Sequence, residues 1–101
     1  MAHIVWSPTA FSDLDAALSY IAKDSPVAAK RMGERILARI RSLAANPELG
    51  SLVPEDERDQ LREVFAGMFR VIYEVTEGPA SVRIVTIIHA ARLLRDFESD
   101  S

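Results

Sequence analysis

The chain contains no cysteine and only two histidines, His3 and His89, which lie far apart in the sequence. Without cysteine there is no disulfide scaffold and no thiolate chemistry. Two distant histidines make a poor metal site, because protein metal sites draw several ligands from suitably spaced positions. The sequence therefore predicts a protein that uses no metal, no other cofactor and no disulfide.

A long apolar run is also missing. No stretch approaches the roughly 20 residues that a membrane-spanning helix needs. The N-terminus lacks the basic and apolar regions of a secretory signal, so we expect a cytoplasmic protein that does not bind membranes. With 101 residues, of which 49% are hydrophobic, the chain has the length of one domain with one core, and we expect residues 1–101 to form it.

Basic charge is not in excess, since the formal net charge is -3. Proteins that hold nucleic acid mainly through its phosphates usually carry a basic excess. Any basic surface of this protein must therefore be local. The best candidate is a strip of basic residues. An ordinary helix face exposed to solvent explains the same residues. The strip consists of Lys30, Arg31, Arg35, Arg39 and Arg41.

Two Ser-Pro pairs predict the starts of two helices. Ser7 and Ser25 suit the N-cap position, and Pro8 and Pro26 suit the first helical position. Apolar residues follow at helical spacing, and we expect them to form a buried stripe on each helix. They are Phe11, Leu14, Leu18 and Ile21 in the first helix, and Ala29, Met32, Ile36, Ile40 and Leu43 in the second. The short connection between the helices predicts an αα-hairpin.

After residue 60 the hydrophobic period changes from about 3.6 to about 2. This change predicts strands at 62–65, 69–75 and 82–88, in addition to an opening strand at 3–6. Residues 91–97 are apolar enough for a short C-terminal helix or tail. The order β-α-α-β-β-β predicts a small α+β fold, in which the helical hairpin packs on one face of a curved, antiparallel-rich sheet.

Turns at 66–67 and 76–79 predict the strand registers, because opposed residues share a face of the sheet. The first turn opposes Phe65 to Met68, and the second opposes Glu74 to Ser81. The result is an apolar face that would pack on the helices and a mixed face on the other side. The mixed face would carry Glu63, Phe65, Arg70, Ile72, Glu74, Arg83, Val85, Ile87 and His89.

Glu63, Arg70 and His89 would share this mixed face, with Glu63 directly opposite Arg70. The three side chains have the parts for phosphodiester cleavage: Glu63 as base toward a ribose hydroxyl, Arg70 beside the phosphorane, and His89 as acid toward the leaving oxygen. A cross-strand ion pair and a strand-end histidine explain the same residues equally well. The residues alone leave both interpretations open.

Short motifs recur along nearly the whole chain: Trp6-Ser7-Pro8, Tyr20-Ile21, Ser25-Pro26 with Ala28-Ala29, Arg62-Glu63, Phe69 to Tyr73, and His89-Ala90-Ala91-Arg92. In this order and spacing they resemble the RelE/ParE superfamily of type II toxin-antitoxin toxins. The resemblance implies a small curved sheet with an N-terminal helical hairpin. It also implies a toxin that a cognate antitoxin neutralises in a hetero-oligomeric complex.

Members of this superfamily divide by target. RelE-like toxins cut messenger RNA on the ribosome, whereas ParE-like toxins inhibit DNA gyrase by binding and are associated with plasmid stabilisation. The long helical hairpin, the ending at residues 89–92 and the acidic balance resemble the ParE branch, so we expect a gyrase inhibitor rather than an enzyme. One alternative is a ribosome-dependent mRNA endonuclease that uses Glu63, Arg70 and His89. Another is a protein that has lost toxicity and binds only antitoxin and operator.

Candidate partner-binding residues lie on the second helix and after the last strand. We expect an antitoxin segment to lie over the helical hairpin and the target to contact the C-terminal run. The residues concerned are Arg31, Arg35 and Arg39 for the antitoxin, and Arg92, Leu93 and Phe97 for the target.

Overall fold

The computed structural model describes residues 1–76 and 80–92 of the chain. It contains two helices, α1 (Pro8–Asp24) and α2 (Pro26–Ala45), and a five-stranded sheet. The strands are β1 (His3–Trp6), β2 (Ser51–Leu52), β3 (Leu61–Ala66), β4 (Phe69–Thr76) and β5 (Ser81–His89). Their order across the sheet is β1-β5-β4-β3-β2, with β1 parallel to β5 and the other neighbours antiparallel.

This architecture confirms the predicted α+β fold with an N-terminal helical hairpin. The sequence did not predict β2, which is only two residues long and shows no alternating pattern. The predicted C-terminal element at 91–97 falls almost entirely outside the described residues.

Both helices begin where the Ser-Pro pairs predict. The Ser7 hydroxyl accepts a hydrogen bond from the backbone N–H of Ala10 at 2.9 Å, and the Ser25 hydroxyl accepts one from Ala28 at 3.1 Å. Each cap satisfies one of the N–H groups that a helix start leaves without a partner. Ser25 is also the C-cap of α1, so a single residue connects the two helices.

The main core lies between α2 and the sheet. Four residues of the predicted α2 stripe are buried: Ala29, Ile36, Ile40 and Leu43. Of these, Ile36, Ile40 and Leu43 belong to one core cluster with the sheet residues Val64, Val71, Tyr73, Val82 and Ile84. Met32 is only half-buried. Gly33 lets the helices approach closely, because an added Cβ would lie 3.1 Å from Leu18 Cδ1.

The first helix is more exposed than its sequence pattern predicts. Ala10 is the only residue of α1 that is fully buried, and Leu14, Leu18 and Ile21 are half-buried. Phe11 is 68% exposed, so its placement in the core was wrong. The predicted spacing identified the helix, but only the side of α1 nearest to α2 and β5 is covered.

The turn between β3 and β4 lies at Gly67-Met68, one residue later than predicted. Gly67 has a φ of +58°, a conformation that glycine adopts without steric cost. Phe65 therefore opposes Arg70 rather than Met68, and the predicted register was wrong by two positions. Because a shift of two preserves the alternation along a strand, the side chains of β3 and β4 keep their predicted faces.

The pairing of β4 with β5 is interrupted by a β-bulge. Glu74 opposes Arg83 rather than the predicted Ser81, and Tyr73 opposes Ile84. One residue earlier in β4, Ile72 opposes Thr86, which leaves Val85 as an extra residue in β5. A bulge of this kind re-aims the side chains that follow it.

Because of the extra residue, the alternation of side chains after Val85 is reversed relative to the predicted pattern. Residues near the end of β5 that were predicted on the mixed face therefore face the helices. Val71 opposes Ile87 and Phe69 opposes His89, so these pairs share a face. Ile87 belongs to the main core. The assignment of Ile87 and His89 to the mixed face was therefore wrong, because the registers from which it was drawn did not contain the bulge.

The start of α1 satisfies the polar groups around the bulge. The Ser7 hydroxyl donates to the carbonyl of Val85 at 2.8 Å. The Asp13 carboxylate accepts hydrogen bonds from the backbone N–H of Ile87, at 3.2 Å, and from the hydroxyl of Thr86. The bulge is thus a tertiary feature that depends on residues from the other end of the chain.

We expect Asp13→Ala to lower the free energy of unfolding by about 1–3 kcal/mol, because it leaves the Ile87 N–H and the Thr86 hydroxyl without their acceptor. Urea denaturation followed by circular dichroism measures this change. Asp15→Ala is the matched control, since Asp15 is exposed on the same helix, and its effect should stay within about 0.5 kcal/mol. Equal effects of the two substitutions would contradict the role assigned to Asp13.

Candidate functional site around Arg70

The mixed face of the sheet is covered by a loop. The segment between β2 and β3 places Val53, which is 1% exposed, against the fully buried Ile72. The half-buried Leu61 and Val85 complete this second, smaller core. The sequence pattern did not predict this cover, although Leu52 and Val53, two apolar residues at the start of a mostly polar segment, were a usable signal.

Arg70 lies at the centre of the covered face and is 5% exposed. Its Nε donates to Glu63 Oε1 at 2.7 Å, and its Nη1 and Nη2 donate to the two carboxylate oxygens of Glu55 at 2.8 and 2.9 Å. Nη1 also donates to the backbone carbonyl of Arg92 at 3.0 Å. A guanidinium has five N–H donors, and these four contacts occupy most of them.

The contacts of Arg70 join three segments that are distant in the sequence. Glu55 comes from the covering loop, Glu63 from β3, and the Arg92 carbonyl from the chain after β5. The hydrogen bond to Glu55, followed by the hydrogen bond and charge of Glu63, raises the pKa of Arg70 above its ordinary value. Arg70 therefore remains a cation despite its burial, and the two carboxylates compensate its charge.

The ion pair between Glu63 and Arg70 forms with a geometry that differs from the predicted one. Glu63 opposes Ile72 in the β-ladder, while Phe65 opposes Arg70. Glu63 therefore reaches Arg70 diagonally, at a distance that long side chains span. Glu63 is 7% exposed, so this pair is buried.

His89 lies on the other face of the sheet. Its ring contacts Phe69 edge to face, with centroids 6.0 Å apart and an interplanar angle of 75°. Its Nδ1 accepts a hydrogen bond from the backbone N–H of Ala91 at 3.1 Å. The structure thus brings Glu63 and Arg70 together and separates His89 from them, so the predicted common face was wrong for His89.

From His89, the last residue of β5, the chain continues into a turn, and we call the exposed residues 89–92 the terminal turn. The N–H of Ala90 donates to the carbonyl of Met68 at 2.7 Å, and the N–H of Arg92 donates to the carbonyl of His89 at 2.9 Å. The side chain of Arg92 is exposed. Leu93 and Phe97, the other expected target contacts, lie outside the described residues.

Tyr73 fixes the segment that leads into β2. Its side chain is fully buried in the main core, as the predicted apolar face required. Its hydroxyl donates to the carbonyl of Pro47 at 2.7 Å and accepts from the N–H of Gly50 at 2.8 Å. Burial raises the pKa of Tyr73. Gly50 is required here, because an added Cβ would lie 2.5 Å from the carbonyl oxygen of Glu63.

Two residues of the predicted basic strip, Arg31 and Arg35, line a groove on the first half of α2. The groove has a volume of about 250 Å³, and its lining consists of Ser25, Val27, Ala28, Arg31, Met32 and Arg35. Met32 and Arg35 border the β3–β4 turn at Gly67. Within residues 1–76 and 80–92, neither Arg31 nor Arg35 forms an ion pair with a carboxylate.

Arg39 has a different role from its neighbours on α2. It is half-buried, and its Nε donates to the carbonyl of Phe65 at 3.1 Å. Arg39 therefore attaches α2 to the end of the β3–β4 hairpin, where Phe65 and Met68 remain 49% and 61% exposed.

The part of the chain that the structure covers holds no group of three His, Cys, Asp or Glu side chains placed to bind a metal ion. None of the helices described has the length and apolar character needed to cross a membrane.

The structure thus defines a small α+β domain with a helical hairpin on one face of a five-stranded mixed sheet. The model of the family described as "ParE toxin of type II toxin-antitoxin system, parDE" matches residues 4–94. The chain belongs to this family and is a toxin of the RelE/ParE superfamily. Membership in a type II toxin-antitoxin family implies an antitoxin partner.

Relatives carry names from several parts of the superfamily. Toxin RelE2 of Caulobacter vibrioides is 41% identical over 93 residues, which cover 92% of this chain and 100% of that protein. A chain from the solved chromosomal ParDE TA system of P. aeruginosa has a TM-score of 0.71 at 22% identity, over 88% of this chain and 96% of that one.

A second solved structure, the YoeB/ParE toxin from Agrobacterium tumefaciens, has a TM-score of 0.60 at 18% identity, over 86% of this chain and 96% of that one. At these identities the two structures establish the fold. They also identify the order of elements described above as that of ParE and RelE-like toxins.

Asp56 holds the loop that carries Glu55, and its carboxylate makes the stability of the fold depend on pH. The Asp56 carboxylate accepts hydrogen bonds from the N–H groups of Leu61, Gln60 and Arg58 at 2.8, 2.7 and 3.2 Å. The bond from Leu61, with smaller contributions from the other two, lowers the pKa of Asp56 below 3.8. A lowered pKa in the folded state stabilises the fold above the unfolded-state pKa, and this stability is lost as the pH falls through the folded-state value.

We therefore expect Asp56→Asn to destabilise the protein at neutral pH, with a difference from wild type that shrinks as the pH falls below 3.8. Urea midpoints measured between neutral and strongly acidic pH test this expectation. Asp59→Asn changes a nearby exposed carboxylate and serves as the control. A difference between wild type and Asp56→Asn that is constant across the pH range would contradict the assignment.

Proposed function

We propose that this toxin acts in the cytoplasm by binding and inhibiting DNA gyrase, without cutting nucleic acid, and that its cognate antitoxin neutralises it. The observation that carries the proposal is the engagement of Arg70. A nuclease needs its arginine free to meet a phosphate. Here Glu55, Glu63 and the Arg92 carbonyl occupy that guanidinium beneath a covering loop.

The free-energy cost of breaking a buried ion pair favours a structural role for Arg70. Removing one partner of a buried ion pair costs about 3–5 kcal/mol, and a phosphate would have to displace Glu55 from a two-oxygen contact. His89, the residue predicted to act as the acid, lies on the helix side of the sheet rather than on this face. Both features support a toxin that binds its target rather than cleaving RNA.

The terminal turn is our candidate for the target contact. Its residues are exposed, yet their backbone is held by hydrogen bonds to Met68, His89 and Arg70. A fixed backbone that carries the exposed side chains of His89 and Arg92 suits protein recognition, since arginine is enriched among the residues that dominate binding energy. Leu93 and Phe97 would extend this surface.

The groove on α2 is our candidate for antitoxin binding. Its floor includes Met32 and Val27, and Val27 is 60% exposed. Arg31 and Arg35 lie on its edge, and Arg39 lies one turn further along α2. An amphipathic segment with acidic residues would match this combination of apolar and basic surface. Toxin and antitoxin would then form a hetero-oligomer through this groove.

One observation favours the alternative function. The relative from Caulobacter vibrioides carries the name RelE2, and Glu63, Arg70 and His89 are the residue types of a ribosome-dependent mRNA endonuclease. In that case ribosome binding would have to release Arg70 from Glu55 and bring His89 to the same substrate.

The gyrase proposal predicts that purified toxin, freed of antitoxin, inhibits supercoiling of a relaxed plasmid in a dose-dependent way. Arg92→Ala should weaken this inhibition by roughly tenfold, equivalent to about 1.4 kcal/mol of binding energy. Arg58→Ala removes an exposed arginine from the covering loop and should leave inhibition unchanged. Supercoiling that persists at every toxin concentration would refute the proposal.

A translation extract separates the two functions. We expect intact ribosome-bound message after addition of the toxin. If the endonuclease alternative holds, wild-type toxin instead yields cleavage products, and Arg70→Ala and His89→Ala each abolish them.

Charge reversal on α2 tests the antitoxin surface. The double variant Arg31→Glu and Arg35→Glu should weaken antitoxin binding by about 10- to 100-fold, because it replaces attraction by repulsion at two rim positions. Isothermal titration calorimetry with the cognate antitoxin gives the affinity. Arg41→Glu is the control on the same helix, outside the groove. Similar losses from both changes would show that net charge, rather than this groove, governs binding.

A further inference from the structure

Among the described residues, hydrogen bonds hold both ends of the segment 90–92 to the rest of the molecule. The N–H groups of Ala91 and Arg92 bond within the turn, to the Nδ1 and the carbonyl of His89. The N–H of Ala90 bonds to Met68 at its start. At its end, the carbonyl of Arg92 accepts from Arg70 Nη1 at 3.0 Å. Arg70 therefore holds the carbonyl of Arg92, the last described residue of the turn.

The position of Arg70 depends in turn on the covering loop. Nε is held by Glu63 of β3, but both terminal nitrogens are oriented by Glu55. The side chain of Glu55 is 17% exposed and that of Arg70 is 6% exposed. A two-oxygen contact fixes the plane of the guanidinium, which aims the second N–H of Nη1 at the Arg92 carbonyl.

We infer that Arg70 is a positioning residue for target recognition: held by Glu55, it fixes the terminal turn in the orientation that presents His89 and Arg92 to the target. This inference rests on the proposed function, because it takes the terminal turn as the target contact. It assigns to Arg70 a purpose other than catalysis and gives the covering loop a part in toxicity.

The geometry requires arginine rather than lysine. One edge of the guanidinium faces Glu55, Nε faces Glu63, and a further N–H faces Arg92, so the three acceptors lie around one rigid plane. A lysine ammonium carries its three donors on a single atom and does not reproduce this fork. Arg70→Lys therefore keeps the charge and loses part of the link to the turn.

The matched control is the exposed pair between Arg83 and Glu74. It joins β5 to β4 at 3.3 Å, with side chains 43% and 33% exposed, and neither residue contacts the terminal turn. Glu55→Gln and Glu74→Gln each remove one carboxylate charge opposite an arginine. They differ in whether that arginine holds the turn.

The first measurement compares two binding activities of each variant. We expect Glu55→Gln and Arg70→Lys to weaken gyrase inhibition by about tenfold or more, the factor expected from losing one charge-assisted hydrogen bond. Their affinity for the antitoxin should stay within about twofold of wild type, since the α2 groove does not include these residues. Glu74→Gln should change neither activity.

The second measurement does not depend on gyrase. Amide hydrogen exchange by NMR should become about tenfold faster at Ala91 and Arg92 in Glu55→Gln, and remain at the wild-type rate in Glu74→Gln. If Arg70→Lys does not fold, both measurements are made on Glu55→Gln. This variant should fold, because Glu55 lies in a loop and is only partly buried.

The outcomes separate the inference from the proposed function. Wild-type toxin that does not inhibit gyrase refutes the proposed function and, with it, the recognition role of the turn. If wild type inhibits gyrase but Glu55→Gln leaves exchange in the turn unchanged, the positioning inference is overturned while the proposed function stands. Equal losses of gyrase inhibition and antitoxin affinity would also overturn it, because they would reveal a general effect on folding.

Discussion

Burial of the Arg70 cation is the constraint on which this side of the molecule depends. A charge that is 5% exposed is tolerated only where acceptors surround it. The sheet supplies Glu63, and the remaining acceptors have to come from elsewhere in the chain. Residues 53–60 therefore fold back over the sheet, held by Val53 at one end and by Asp56 near the middle, and they deliver Glu55. Without these contacts the mixed face would be an open surface.

The sequence predicted those parts of the fold that depend on local chemistry. Ser-Pro pairs placed both helix starts, and the change of hydrophobic period placed β3, β4 and β5 to within a few residues. The bulge could not be predicted in this way, since Val85 is stabilised by Ser7, 78 residues away in sequence. Because the predicted registers did not include this bulge, they placed His89 on the wrong face. The candidate site was therefore half predicted: the residue types of Glu63 and Arg70 suggested their ion pair, but Glu55 and the covering loop were visible only in three dimensions.

The two proposed partner surfaces meet at the β3–β4 turn. Gly67 borders the α2 groove through Met32 and Arg35, while the carbonyl of Met68 holds Ala90 at the start of the terminal turn. An antitoxin segment in the groove would lie beside the element that is proposed to recognise the target. Neutralisation would then need no remote conformational change, because one bound segment would occupy space next to both surfaces and could hinder access to the turn directly.

The shared cap between the helices limits how proteins of this kind can change in length. Ser25 ends α1 and starts α2 with its backbone and side chain at once. An inserted residue at this point would add about 100° of rotation to one helix if it joined that helix. Gly33 would then no longer face Leu18, and the arginines of the groove would turn away from the β3–β4 hairpin. Insertions and deletions in related chains should therefore be rare at the connection between the helices.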